Sequence, residues 1–260
     1  YAYKRWKKGL NAMLPKKDGV FWVHKLCTIL LLEADANMNY KKLHRDVMWF
    51  AKQADSLDPS NYGGMSGVQA VEAPLDSRLT SDLLRQKRKA AGMASTDAKG
   101  CFDRIVHSIA FLCLRSFGMH KAPITSMLQA IREMTHHIRT AFGDSDTSYG
   151  FDPNNPLDHP QQGLLQGNGA AVTGWNAIIS KIMSMMLAAG FDLSIWSAIT
   201  RAVIRFICIN FIDDGSLFLG GPSNTTPGSE VYNRMQDLLD MWESALRATG
   251  GAVAFDKSYW

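Results

Sequence analysis

The sequence is poor in cysteine and lacks the patterns in which cysteine does chemistry. Cys27, Cys101, Cys113 and Cys208 are scattered through 260 residues, with no CxxC pair and no histidine spaced to complete a zinc cluster. A reducing, intracellular setting, nucleus or cytoplasm, is the expectation. Also absent is any apolar run of the roughly 20 residues that span a bilayer. The longest nearly apolar stretch, residues 177–191, is interrupted by Lys181, so no membrane segment is expected. No charged segment leads into a short apolar core with a small-residue cleavage site, and the chain opens on Tyr1, so it reads as an excerpt without a secretory signal. There is no internal repeat, no low-complexity tract and no Ser/His/Asp set. The Gly-Lys-Ser/Thr that a phosphate-binding P-loop requires is missing too.

What is present fits a globular protein with a substantial core: 46% hydrophobic residues and 20% charged. The net charge of +4 is unevenly placed. Lys4, Arg5, Lys7, Lys8, Lys16 and Lys17 fall in a segment without an acid, and Arg85, Lys87, Arg88 and Lys89 form a second knot. Such clusters suit a phosphate backbone; each alone is equally a solvated face.

Periodicity places the elements. Leu43, Val47, Phe50, Ala54 and Leu57 recur at helical spacing from Asn37 onward, and the Asp58-Pro59 turn should end that helix. Val68, Val71, Leu75, Leu79 and Leu83 repeat the pattern, with Pro74 kinking the helix or marking its first turn. A third helix is predicted from Asp103, as N-cap, to Phe117, with Gly118 closing it. A fourth begins near Pro123, and His136-His137 falls at its end. Residues 143–160 read as a loop. A long buried helix follows over 170–189, its methionines filling core space. Residues 203–212 are apolar and β-branched and stop at Asp213-Asp214-Gly215, a hairpin signature in which Asp-Gly supplies the positive backbone angles. A last helix over 229–248 puts Val231, Met235, Leu238, Trp242 and Leu246 on one face. The pattern is α+β with antiparallel strands.

Two acidic segments carry chemistry. Phe211-Ile212-Asp213-Asp214 crowds two carboxylates at a hairpin, a cost that a divalent cation relieves, although Asp is common at turns for local hydrogen bonding alone. Ser95-Thr96-Asp97 places a third carboxylate at the end of a short strand. Two metals close together need carboxylates from separate chain segments, which Asp97 and the hairpin provide.

The run DAKGCFD (97–103) resembles the first catalytic palm motif of reverse transcriptases, particularly those of group II introns and non-LTR retrotransposons. FIDD (211–214) resembles their x-x-D-D hairpin, and Gln162-Gly163-Leu164-Leu165-Gln166-Gly167 the QG motif between them. Gly250-Gly251 through Lys257-Ser258 look like the lysine-ended fourth palm motif. Pro15-Lys16-Lys17 and residues 28–41 look like the fingers motifs, and Tyr62-Gly63-Gly64 like the joint between fingers and palm. The resemblance covers nearly the whole chain. It implies a right-hand polymerase fold, with fingers over 1–93 and 119–160 and an antiparallel palm sheet with packed helices over 94–118 and 161–260, the thumb lying outside this chain.

The resemblance also implies an RNA-directed DNA polymerase acting on dNTP at a primer 3′-OH over an RNA or DNA template. Asp97, Asp213, Asp214 and the Ala98 carbonyl would hold two Mg²⁺ ions, with Mn²⁺ as the substitute. Lys257 would protonate the pyrophosphate. Phe102 would sit under the incoming sugar and obstruct a 2′-hydroxyl, with an ordinary core phenylalanine as its other reading. Gln166 and Gly167 would line the nascent base pair, and Lys17 and Lys25 would meet the substrate's phosphates. Cys27 stands where the relatives carry an arginine; Lys25, expected on the same strand face, is its candidate replacement. Two further readings stay open: a degenerate palm that binds nucleic acid without catalysis, and an RNA-dependent RNA polymerase, against which Phe102 speaks.

Overall fold

The computed structural model describes residues 3–152, 154–155, 162–197 and 199–259, the side chain of His24 excepted. Strands β1 (Lys8–Pro15) and β2 (Leu26–Leu32) are followed by helices α1 (Ala34–Gln53) and α2 (Glu72–Gln86), then β3 (Ala91–Asp97), α3 (His107–Ser116) and α4 (Lys121–Arg132). Strands β4 (Thr135–Thr140), β5 (Gly143–Asp144) and β6 (Tyr149–Gly150) precede α5 (Ala171–Ala188). Strands β7 (Leu193–Trp196), β8 (Val203–Phe206), β9 (Cys208–Phe211) and β10 (Asp214–Gly220) lead into α6 (Gly228–Ala248). The loop expected at 143–160 thus carries two short strands, and residues 153 and 156–160 of it lie outside the described set.

The chain divides into two compact units, Tyr1–Gln53 with Phe102–Gly174, and Ala54–Cys101 with Trp175–Trp260. Its boundaries fall after residues 53, 101 and 174, where the expected fingers and palm changed after 93, 118 and 160.

In the first unit the sheet order is β2-β1-β4-β5, with β6 also on β4; β1 pairs antiparallel with β2 and parallel with β4. Helix α1 buries Ala36, Tyr40, Val47, Met48 and Ala51, a stripe rotated from the predicted one, and Phe50 is exposed. The stripe passes through His44, whose Nδ1 lies 2.7 Å from Thr173 Oγ1. Helix α3 starts four residues later than predicted, and Asp103 does not cap it: the N-cap is Val106, with no side-chain cap. His136 and His137 lie on β4 rather than at a helix end, the first buried and the second half-buried.

In the second unit β3-β10-β9 form an antiparallel sheet, and β7 and β8 pair separately. Residues 203–212 are therefore two strands, because Ile207 between them turns inward, with its carbonyl accepting the Phe218 N–H at 2.7 Å. Helix α6 buries the predicted Val231, Met235, Leu238, Trp242 and Leu246, and Val231 and Met235 come against Gly92 of β3. Pro74 sits in the first turn of α2, where its missing N–H has no helical acceptor. Of the stripe predicted for that helix, Val71, Leu75 and Leu79 are exposed and Ala73 is the buried contact. Helix α5 is long and apolar enough to cross a membrane by length and composition, yet 67% of it is buried within the fold, as a core helix would be.

Candidate active site

Two aspartates face each other on adjacent strands of the second unit, and a third precedes one of them in the turn. Asp97, the last residue of β3, is the register partner of Asp214, the first of β10. Asp213 precedes Asp214 in the turn, and its carbonyl oxygen accepts the Ala98 N–H at 2.9 Å. The strand that delivers Asp97 is fixed from its other side as well. The Asp97 N–H donates to Ser258 Oγ at 3.3 Å, its carbonyl accepts from Ala254 N–H at 2.9 Å, and Lys257 Nζ donates to Asp97 Oδ2 at 2.8 Å. Lys257 lies in a short 3-10 turn, Phe255–Lys257, rather than on a strand.

The tight turn is built differently from the Asp-Gly expectation. Asp214 pairs with Phe211, so the two turn residues are Ile212 and Asp213, and Gly215 lies within the strand. The left-handed backbone angle belongs to Ile212, at φ 57°. A β-branched residue there is strained and persists only where neighbours hold it. They do: Trp175 Nε1–H donates to the Ile212 carbonyl at 2.5 Å, and Asn210 Nδ2 donates to the same oxygen at 3.2 Å. Gly63 closes the other side. A Cβ on Gly63 would fall 2.5 Å from the Ile212 nitrogen, and its carbonyl accepts from Asn176 Nδ2 at 2.8 Å. Segment 60–62 runs along β9, with Tyr62 N–H on the Asn210 carbonyl at 2.8 Å. Gly63→Ala should therefore destabilise the fold by about 1–3 kcal/mol, the scale of overpacking against backbone, read as a lowered denaturant midpoint. An unchanged midpoint would mean that the turn gives way freely.

The electrostatics are those of a site short of positive charge. Burial raises the Asp213 carboxyl above its ordinary range, and the charges of Asp214 and Asp97 push it further, against a backbone hydrogen bond and Lys257. The hydrogen bond and charge of Asp97 in turn raise the Lys257 ammonium, keeping it protonated. Three carboxylates, two on paired strands and one in the turn between strands, with one ammonium set against Asp97, fit divalent cations by donor chemistry. Among the described residues, however, no three His, Cys, Asp or Glu side chains are gathered closely enough to hold an ion as they stand. An ammonium, that of Lys257, faces Asp97 in this arrangement.

A groove of about 620 Å³ leads to Asp214, lined by Ser77, Arg78, Ser81 and Arg85 of α2 and by Ser95, Phe211 and Ser216 of the sheet. Arg78 and Arg85 both reach Asp82, through exposed pairs worth little. The basic knot read from the sequence is thereby split. Lys87 and Lys89 donate instead to the Trp196 and Ser194 carbonyls, at 2.7 and 2.5 Å.

Phe102, Gln166, Gly167, Lys17 and Lys25 belong to the first unit. Phe102 is half-buried, and its carbonyl accepts the Leu164 N–H at 2.6 Å. Gln166 is exposed; its N–H donates to Asp103 Oδ1 at 3.1 Å and its carbonyl accepts the Leu30 N–H at 2.8 Å. Asp103, expected as a helix cap, thus holds the QG segment. Burial raises its carboxyl above the ordinary range. Gly167, at φ 112°, lies so close to β2 that a Cβ would fall 2.2 Å from the Leu30 carbonyl oxygen, which is a structural reason for glycine there. Cys27 Sγ faces Gln166 Oε1 at 3.7 Å. Lys25 is not on β2 beside Cys27: it ends the 3-10 turn Val23–Lys25, exposed, because β2 begins at Leu26. Lys17 is exposed in the β1–β2 connection. Trp175 and Asn210, which shape the acidic turn, carry no motif of their own and were not legible beforehand, whereas Gly63 and Ser258 fall in segments read as the fingers–palm joint and the fourth palm motif.

The α+β arrangement that carries these carboxylates fits a polymerase-like fold. Among solved structures, the chain resembles apo telomerase from Candida tropicalis truncated from its C-terminal domain: TM-score 0.62, 12% identity, 100% of this chain and 51% of that one. A Candida tropicalis telomerase in complex with a TWJ fragment of telomeric RNA gives TM-score 0.61 at 12% identity over 99% of this chain and 41% of that one. The corresponding Candida albicans complex gives 0.60 at 13% over 98% and 43%. The chain spans about half or less of the length of these neighbours. The likeness supports a reverse-transcriptase-like fold. No protein-family model and no curated protein matches the sequence.

Proposed function

We propose that this chain is the fingers-and-palm part of an RNA-directed DNA polymerase of retroelement type, akin to those of non-LTR retrotransposons and group II introns. The observation that carries the reading is the pairing of Asp97 with Asp214 across β3 and β10, next to an Asp213 presented by a strained turn. Asp97, Asp213, Asp214 and the Ala98 carbonyl would hold Mg²⁺, or Mn²⁺ in its place, which when bound activates the primer 3′-hydroxyl and neutralises charge on the triphosphate. Lys257, raised by Asp97 and donating to it at 2.8 Å, stays protonated and would give its proton to the departing pyrophosphate. The groove under Arg78 and Arg85 offers a surface for a template and primer.

From the first unit, the resemblance assigns Gln166 and Gly167 to the nascent base pair, Lys17 and Lys25 to phosphates and Phe102 to the sugar. Primer extension on an RNA template with Mg²⁺, comparing dNTP with NTP, tests the reading in a chain extended to include a thumb. Extension with dNTP supports it. Phe102→Ala should raise ribonucleotide incorporation about tenfold or more relative to dNTP, the scale of losing one steric contact at a reacting substrate. Unchanged discrimination would remove Phe102 from the sugar site, and a preference of the wild type for NTP would favour an RNA polymerase. A second reading, a degenerate palm that binds nucleic acid without turnover, is favoured by the ungathered carboxylates and by Cys27 in the place of an arginine. It predicts strand binding and no extension.

A further inference from the structure

The hairpin of β7 and β8 has two edges, and they differ. In this antiparallel pair Ser197 N–H donates to the Ala202 carbonyl at 2.9 Å, and the register sets Ser194 against Arg205, Ile195 against Ile204 and Trp196 against Val203. Hydrogen-bonded and non-hydrogen-bonded pairs alternate along such a ladder. The backbone groups of Ile195 and Ile204 therefore face each other, whereas those of Ser194, Trp196, Val203 and Arg205 face outward. On the β7 edge the outward carbonyls of Ser194 and Trp196 accept from Lys89 Nζ and Lys87 Nζ, at 2.5 and 2.7 Å. On the β8 edge the strand has no further neighbour in its sheet, and among the described residues nothing bonds to the outward N–H and carbonyl of Val203 or Arg205.

An open edge of this kind is a template for another strand, and proteins usually blunt it with lysine, proline or a bulge. Lysines blunt β7 and leave β8 bare. The side chains on the bare edge are β-branched and outward, Val203 being 59% and Ile204 55% exposed. The edge is also held in place. Leu193 is buried at the base of the hairpin, and Phe206 meets the ring of buried Phe218 edge-on, with centroids 5.7 Å apart.

Charge selects the occupant. Arg205 Nε donates to Asp192 Oδ2 at 3.0 Å, yet the arginine side chain stays 57% exposed. Arg201 is exposed at the turn, and Lys87 and Lys89 lie across the hairpin. A second copy pairing through β8 would line up two Arg201 and two Arg205 side chains, a like-charge cost. A nucleic acid would bring phosphates against the outward carbonyl oxygens of Val203 and Arg205, which repel them. An extended peptide meets every group. Its backbone completes the ladder, its acidic side chains on one face reach Arg205, and apolar ones on the other cover Ile204.

We propose that the free edge of β8 captures an extended acidic peptide segment as an added strand. No residue of this edge enters the polymerase reading, so the two stand or fall separately.

The test is fluorescence anisotropy of the full chain with a short labelled peptide of alternating glutamate and valine. It should bind about tenfold or more tightly than the same peptide with lysine in place of glutamate. N-methylating the glutamate amides in one peptide and the valine amides in another should abolish binding in one case and spare it in the other, because an added strand meets β8 along one of its own edges. Val203→Pro removes an outward N–H that the hairpin ladder does not use. Binding should be lost with the melting temperature unchanged, and Val203→Thr should keep it. Arg201→Ala with Arg205→Gln should narrow the preference for acid. Absence of peptide binding, or binding indifferent to both N-methylated peptides and to Val203→Pro, overturns the proposal. A dimer that Val203→Pro dissolves would overturn it in favour of a second copy, and single-stranded RNA binding lost in the same variant would overturn it in favour of nucleic acid.

Discussion

Asp213→Asn should lower nucleotide addition by on the order of 10²–10³, the scale lost when one group that stabilises developing charge is removed, and should at the same time make the ion-free chain more resistant to heat. The two effects share one cause. Partial desolvation raises the Asp213 carboxyl above the ordinary range, and the charges of Asp214 and Asp97 raise it further, with Lys257 as the opposing charge. A raised carboxyl binds protons more tightly folded than unfolded, so its ionisation works against folding. That cost is absent below the ordinary carboxylate pKa and sets in as the pH climbs from there to the folded value. Above the folded value it is fully present, and the amide removes it. Thermal melts should therefore show the variant above the wild type at neutral pH and level with it in acid. Mg²⁺ should raise the wild-type melting temperature and leave the variant's nearly still, because an ion that binds only the folded state stabilises in proportion to its affinity. A variant that melts lower at neutral pH would show that the turn needs the carboxylate, and an equal Mg²⁺ response in both would show that no ion is held there.

The parts of this site that were legible in the sequence are those set by local rules. Helix α6 follows its apolar period because one face of it packs on the sheet, and all five predicted residues are buried. Asp97 ends its strand and Asp213-Asp214 occupy a hairpin, as turn chemistry suggested. What failed depended on partners distant in the chain. The α1 stripe was misplaced because it runs through a histidine whose hydrogen-bond partner, Thr173, lies far along the sequence. Asp103 looked like a helix cap, but its partner is the Gln166 N–H. Residues 203–212 read as one strand since nothing local reports that β8 pairs with β7 while β9 pairs with β10. In the turn the rule itself was broken: Gly215 was available for the positive angle, and Ile212 carries it. Local preference yields in this way where surrounding structure over-determines a functional geometry.

Trp175 is the largest part of that surrounding structure, and its loss should have the largest effect on stability. Its side chain is 1% exposed and its Nε1–H donates to the Ile212 carbonyl. Trp175→Ala should cost about 3–5 kcal/mol, as large-to-small changes of buried aromatics do. Because a loss of that size also threatens the fold, Trp175→Phe is the sharper probe. It keeps most of the ring and removes one hydrogen bond, leaving Asn210 Nδ2 as the side-chain donor on the Ile212 oxygen. The expected stability loss is about 1–2 kcal/mol. Without the indole N–H, Ile212 can relax from its left-handed angle and carry Asp213 away from Asp97 and Asp214, so nucleotide addition should fall by more than stability does. Adding Ile212→Gly separates the two effects. Glycine adopts a φ near 57° without strain, so the double variant should regain part of the activity lost by Trp175→Phe, measured by single-nucleotide extension. If Trp175→Phe extends primers as the wild type does, the strained angle at Ile212 is a consequence of packing and has no part in presenting the carboxylates.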